Sequence, residues 1–90
     1  MKRFRWNLEK NDKLKQERNI RFKNVVKAIN NGYLLDVIKH YNPGKYPNQL
    51  IFVVKVKNYV YIIPFVENES EIFLKTIIPS RKLKKKYLGD

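Results

Sequence analysis

Arg81 and Lys82 follow Pro79-Ser80 close to the C-terminus, ahead of Leu83, the run Lys84-Lys85-Lys86 and Tyr87. Ser80 suits a helix N-cap, because its side-chain oxygen can accept from the free backbone N–H groups of a first turn. Arg81 and Lys82 then fall in that turn, where unpaired amides already carry partial positive charge. Cations there cost up to about 1 kcal/mol each, so stability does not account for them. A phosphate or an acidic partner does, since amides and side chains converge on one anion. Arg81 is the candidate for holding a phosphate, its guanidinium matching two oxygens at once. Lys82 is a weaker catalytic candidate beside it, with plain surface charge as the competing reading.

Cutting RNA through its own 2′-hydroxyl needs a base, cations for the crowded phosphorus and an acid for the 5′-oxygen. Lys75, between Phe73 and Ile77, could act as the base if desolvated among cations; the alternative is a rim lysine with its ammonium in water. Tyr87, one and a half turns past Arg81, could stack on a base, donate a proton or simply pack. Lys85 adds a nucleic-acid contact from the same run. Trp6, the single tryptophan, reads either as a core anchor or as a stacking platform. Lys10 and Arg18 lie two turns apart on a predicted helix and could flank a phosphate track, although a solvated helix explains them as well. Arg21 stands where a good N-cap is expected, which suggests retention for nucleic-acid contact. His40 has the one side chain with an ordinary pKa near neutrality, at a strand end where a plain loop-edge role competes with acid–base work.

Charge sets the scale of these candidates. The chain has 90 residues and a net charge of +12, with +7 on residues 1–27, +1 on 28–78 and +4 on 79–90. Brought together, the two ends would form one basic surface for a polyanion, nucleic acid before acidic protein and both before lipid. The length suits one domain over residues 1–90, and the 43% apolar content suits a packed core. Cysteine is absent and histidine single, so no thiolate or histidine cluster for a metal is expected, and no cofactor. No apolar run approaches the roughly 18 residues of a membrane helix. The charged start, Lys2 to Arg5, does not read as a signal peptide. A soluble cytoplasmic protein is the expectation.

These residues need elements to position them. Arg3 to Trp6 reads as a short edge strand. Asn7 caps a polar helix, Leu8 to Arg18, with Leu8 and Leu14 as its apolar contacts and Asn19 as its stop. Phe22, Val25, Val26 and Ile29 form the stripe of an amphipathic helix ending at Asn30-Asn31-Gly32. Strands follow over Tyr33 to His40, Leu50 to Val56, Tyr59 to Val66 and Ile72 to Ile78. Residues 42–48 form a loop by turn chemistry, and Lys57-Asn58 makes a tight hairpin. Pro64 removes a ladder donor, so a bulge or an edge is expected there. Pairing Val66 with Ile72 would place Ile63 opposite Lys75 and put Phe73, Lys75 and Ile77 on the apolar face, unless the register slips by one. The fold class is α+β: a four-stranded antiparallel sheet packed on one face by two N-terminal helices and a short C-terminal helix, in two layers.

Phe4-Arg5-Trp6-Asn7 leading to Lys10-Asn11, then Ile20 to Val26, and finally Pro79-Ser80-Arg81-Lys82 with its following bases and Tyr87, together resemble the BrnT toxins of bacterial type II toxin–antitoxin systems. Members of that family read aromatic-x-Trp-Asp-x-x-Lys at the start and Ser-Ala-Arg-Lys, bases and Tyr at the end. The resemblance implies a RelE-like fold, an endoribonuclease that inhibits translation, and a cognate antitoxin covering the basic groove. It implies that Trp6, Lys10, Arg81 and Lys82 lie in or near the working surface. The chain departs from the family at Asn7, at Arg21 and at Glu17-Arg18-Asn19, where the family commonly has Lys-His-Gly. A histidine-dependent mechanism is therefore not carried over. The rival expectation is a non-catalytic RNA- or DNA-binding protein using the same surface.

Overall fold

Phe22, Val25 and Ala28 of the second helix are buried, and Val26 and Ile29 pack beside them, so the predicted stripe is the seam on which the sheet is laid. A computed structural model describes residues 2–40, 42, 44, 45, 47 and 49–89. Its elements are β1 (Arg3–Trp6), α1 (Leu8–Arg18), α2 (Phe22–Asn30), β2 (Leu34–Lys39), β3 (Leu50–Val56), β4 (Tyr59–Glu67), β5 (Glu71–Leu74), β6 (Ile78–Pro79) and α3 (Arg81–Leu88). Within the loop expected over 42–48, Gly44, Lys45 and Pro47 lie in turns, whereas Pro43, Tyr46 and Asn48 fall outside the described residues. No helix among the described residues is long and apolar enough to cross a membrane.

The helix boundaries follow from local chemistry. Asn7 Oδ1 accepts the Lys10 N–H at 2.9 Å, and Asn19 closes α1 in the left-handed region at φ 54°. Arg21 has no acceptor to offer α2. Asn11, reaching across from α1, accepts the Phe22 N–H at 3.0 Å, and Asn24 accepts the Arg21 N–H at 3.0 Å. A poor cap is thus replaced by a neighbour's amide, which also ties the two helices together. Leu14 is buried, but Leu8 is 74% exposed and is not the packing contact the sequence suggested.

The class is α+β, yet the sheet is mixed rather than four antiparallel strands. Its order is β1-β5-β4-β3-β2 with β6 added to β4, and β1 runs parallel to β5. The register of β4 on β5 also differs from expectation. Glu67, not Val66, stands opposite Ile72, so Phe65 meets Leu74 and Val66 meets Phe73. Asn68 is the reason: its Oδ1 accepts the N–H groups of Ser70 at 2.9 Å and Glu71 at 2.8 Å, closing the turn one residue tighter. Leu74 is consequently fully buried and Phe73 is 37% exposed.

Between β5 and β6 the ladder breaks, and after it Ile62 pairs with Ile78. The break restores the alternation and returns Ile77 to the core. Pro64 lies in a central strand, opposite Ile51 on β3. Its carbonyl accepts the Lys75 N–H at 2.8 Å, so its missing donor points toward the same side, into the break. The bulge expected for this proline is supplied by its neighbour.

The two sheet faces have different covers. Phe52, Val54, Ile63, Phe65, Leu74 and Ile77 join α1 and α2 in the core, with Phe52 stacked on Phe65 at 3.8 Å. Val53 and Val60, also buried, point the other way. Tyr87 of α3 bonds Asp36, the cross-strand partner of Val53, which sets α3 on this second face. The helices are therefore divided between the faces, not gathered on one.

Candidate nucleic-acid interface

The tip of the β3–β4 hairpin lies between the α1–α2 corner and α3. Lys2 and Arg5 at the N-terminal strand instead pair with Glu67 and Glu71 at the far end of β4, so the basic ends expected together are only partly joined. Lys57 and Asn58 connect the strands, with Val56 opposite Tyr59. Lys57 adopts φ 58°, a left-handed conformation that a lysine holds at a cost of roughly 1 kcal/mol or more. On one side of the tip is the α1–α2 corner, and on the other the first turns of α3.

A cleft of about 340 Å³ lies on the corner side. Arg18, Asn19 and Asn24 form its helical wall, and Lys57, Tyr59 and Tyr61 its sheet wall. The two tyrosine rings sit 5.6 Å apart, tilted by 55°. Burial raises the Tyr61 phenol above its ordinary pKa and Tyr59 adds to the shift, so Tyr61 stays neutral and holds its proton. A second cleft, about 450 Å³, is lined by Tyr59, Arg81, Lys84 and Lys85. A third, about 310 Å³, lies on the α3 face against Lys55, Asn58, Lys84 and Leu88. Tyr59 is shared by the first two clefts, and Lys84 by the last two. Lys84 Nζ stands 5.6 Å from the centroid of the Tyr59 ring, within cation–π range.

Six cations thus surround the tip, and no carboxylate lines these clefts among the described residues. Such a field, interleaved with phenol rings, is suited to a sugar–phosphate backbone carrying flat bases. No group of three His, Cys, Asp or Glu side chains able to hold a metal occurs among the described residues.

Of the residues singled out from sequence, Arg81 and Lys85 line the second cleft and Arg18 the corner cleft. Ser80 Oγ accepts the Leu83 N–H at 3.2 Å, so Arg81 and Lys82 do open α3 against its dipole. Arg18 has a second task, donating to the Ile77 carbonyl at 2.7 Å.

Others are placed elsewhere. Lys82 is exposed on α3 and lines none of these clefts. Lys75 is exposed on the face away from the core, its Nζ 5.9 Å from the Phe73 ring, because the tighter Asn68 turn shifts it off the apolar row. Desolvation, the condition for its acting as a base, is not met. Trp6 stacks on Phe22 with centroids 5.7 Å apart and belongs to the core packing. Lys10 sits about 12 Å up α1 from Arg18. Arg21 is exposed at the start of α2, its backbone held by Asn24. Tyr87 Oη donates to Asp36 at 3.3 Å; partial burial first, and then that carboxylate, raise its pKa. His40, 7% exposed, lies beyond Leu50, about 20 Å along β3 from the tip, and its Nδ1 accepts the Asn42 N–H.

Tyr59, Tyr61, Lys57, Lys84, Asn19 and Asn24 are among the lining residues the sequence did not single out, as are Lys55 and Asn58. The signal was there in part: Lys57-Asn58-Tyr59 is a turn with a cation beside an aromatic. Comparison with models of protein families, with curated proteins and with solved structures finds no match to this chain.

Proposed function

We propose that this chain acts on RNA as the toxin of a toxin–antitoxin pair, a RelE-like endoribonuclease that works without a metal and inhibits translation in the cytoplasm. The supporting observation is the gathering of Arg18, Lys57, Arg81, Lys84 and Lys85 around Tyr59 at one end of the molecule. Arg81, with Lys84 and Lys85, neutralises the phosphate under attack. The 2′-oxygen bonds to phosphorus and the bond to the 5′-oxygen breaks. Tyr59, which lines both clefts, gives its proton to the departing oxygen in this reading. The proton of the 2′-hydroxyl passes to solvent water, because lysines that neutralise a phosphate are ammonium groups and cannot accept it. An antitoxin would cover this end with acidic and apolar side chains.

Incubating the purified chain with total RNA in EDTA, beside Arg81→Ala, tests the reading. Cleavage by the parent and its loss in the variant support it; intact RNA with both proteins overturns it. A second reading, a non-catalytic RNA- or DNA-binding protein, is favoured by one observation. The described lining residues include no histidine or carboxylate to serve as a conventional base. Under that reading RNA co-elutes uncut, with affinity falling steeply with salt.

A further inference from the structure

We infer that the hairpin end takes a single RNA strand bent around its tip, and that the corner cleft seats one unpaired base of that strand. The inference rests on the reading of this end as an RNA surface and adds the form of the ligand. The corner cleft and the α3-side cleft open on opposite sides of the sheet and approach each other only around Lys57 and Asn58. Between them lies the cleft of Arg81, Lys84 and Lys85. A backbone touching all three must therefore turn sharply within a few nucleotides. Duplex RNA is too stiff for that turn and keeps its bases stacked inside; a single strand can bend and splay a base outward.

The corner cleft has the chemistry of a base site. Its volume, about 340 Å³, lies at the small end of the range for compact ligands. Tyr59 and Tyr61 are tilted away from mutual stacking, leaving ring surface for a flat ligand. Opposite them, Asn19 makes no side-chain hydrogen bond among the described residues, and Asn24 uses only its oxygen, toward Arg21. Unpaired amide donors facing phenol rings match the combination that reads an extruded base: stacking on one side and edge hydrogen bonds on the other. The cations alone would need none of this.

The test is fluorescence anisotropy with three labelled RNAs of equal length: a single strand, the same strand with one abasic linker at its centre, and a duplex. The intact strand is expected to bind about tenfold more tightly than the abasic one, within the range seen for one stacked base, and more tightly than the duplex. Asn19→Gly, which keeps the left-handed helix stop while deleting the amide, should shrink the gap between intact and abasic strands. Equal binding of single strand and duplex, or of intact and abasic strands, overturns the inference. RNA cleavage with no preference for single strands would sink this inference alone. A single-strand preference with no cleavage would sink only the ribonuclease reading.

Discussion

Arg18 donates through Nη1 to the carbonyl oxygen of Ile77 at 2.7 Å, joining the last residue of α1 to the break between β5 and β6. The bond fixes the connection that leads into α3, so the corner cleft and the Arg81 cleft are held in one frame. A charge-assisted bond of this kind, partly exposed, contributes about 1–2 kcal/mol. Arg18→Met, which keeps the aliphatic stem, should lower stability by that amount in urea denaturation. An unchanged midpoint would show that the Ile77 carbonyl is satisfied by solvent.

Lys57 should separate stability from binding. Glycine tolerates its left-handed φ without steric cost, so Lys57→Gly is expected to be neutral or stabilising by up to about 1 kcal/mol. The same change removes a cation from the tip. RNA affinity should fall and the dependence of log K on log salt should become shallower by about 1. Thermal denaturation and binding titrations at several salt concentrations check the two effects, which have opposite signs.

Trp6 is the only tryptophan, and its ring is stacked on Phe22 and lines none of the clefts at the hairpin tip. Its fluorescence should therefore report unfolding but stay unchanged when RNA saturates the protein. Strong quenching by RNA would place the strand across β1 and against this assignment.

Tyr87 and Tyr61 carry raised pKa values, the first from partial burial and the Asp36 carboxylate, the second from burial and Tyr59. A raised pKa means that the folded state favours the neutral phenol. The associated stability is complete below the unfolded value, about 10, and is lost as pH climbs through the folded value. Alkaline titration of tyrosinate absorbance should show Tyr61 and Tyr87 ionising above the ordinary phenol range. Tyr87→Phe should remove one of them and make α3 less sensitive to high pH.

The helices were legible because their signals are local. Phe22 and Val25 mark a face, Asn7 and Ser80 are caps, and Asn19 is a stop whatever surrounds it. The sheet was less legible because its details are set at a distance. One asparagine, Asn68, shifted β5 by a residue and moved Lys75 from the apolar face to the opposite one. The parallel pairing of β1 with β5 joins segments nearly seventy residues apart, and no turn announces it. The face taken by α3 depends on Tyr87 finding Asp36. Within the site, Arg81, Lys85 and Arg18 could be singled out by charge. Tyr59 and Tyr61 read as core because they occupy the core face; near the tip they extend beyond the buried core.

The most direct measurement compares two variants with the same loss of charge. One carries Arg81→Gln, Lys84→Gln and Lys85→Gln at the hairpin end. The other carries Lys13→Gln, Lys23→Gln and Lys27→Gln, all exposed on α1 and α2 and lining none of the clefts. With affinity for single-stranded RNA measured at matched salt, the first should lose binding by orders of magnitude while the second keeps most of it. Equal losses would mean that RNA responds to the overall charge of the molecule, and the site would be contradicted.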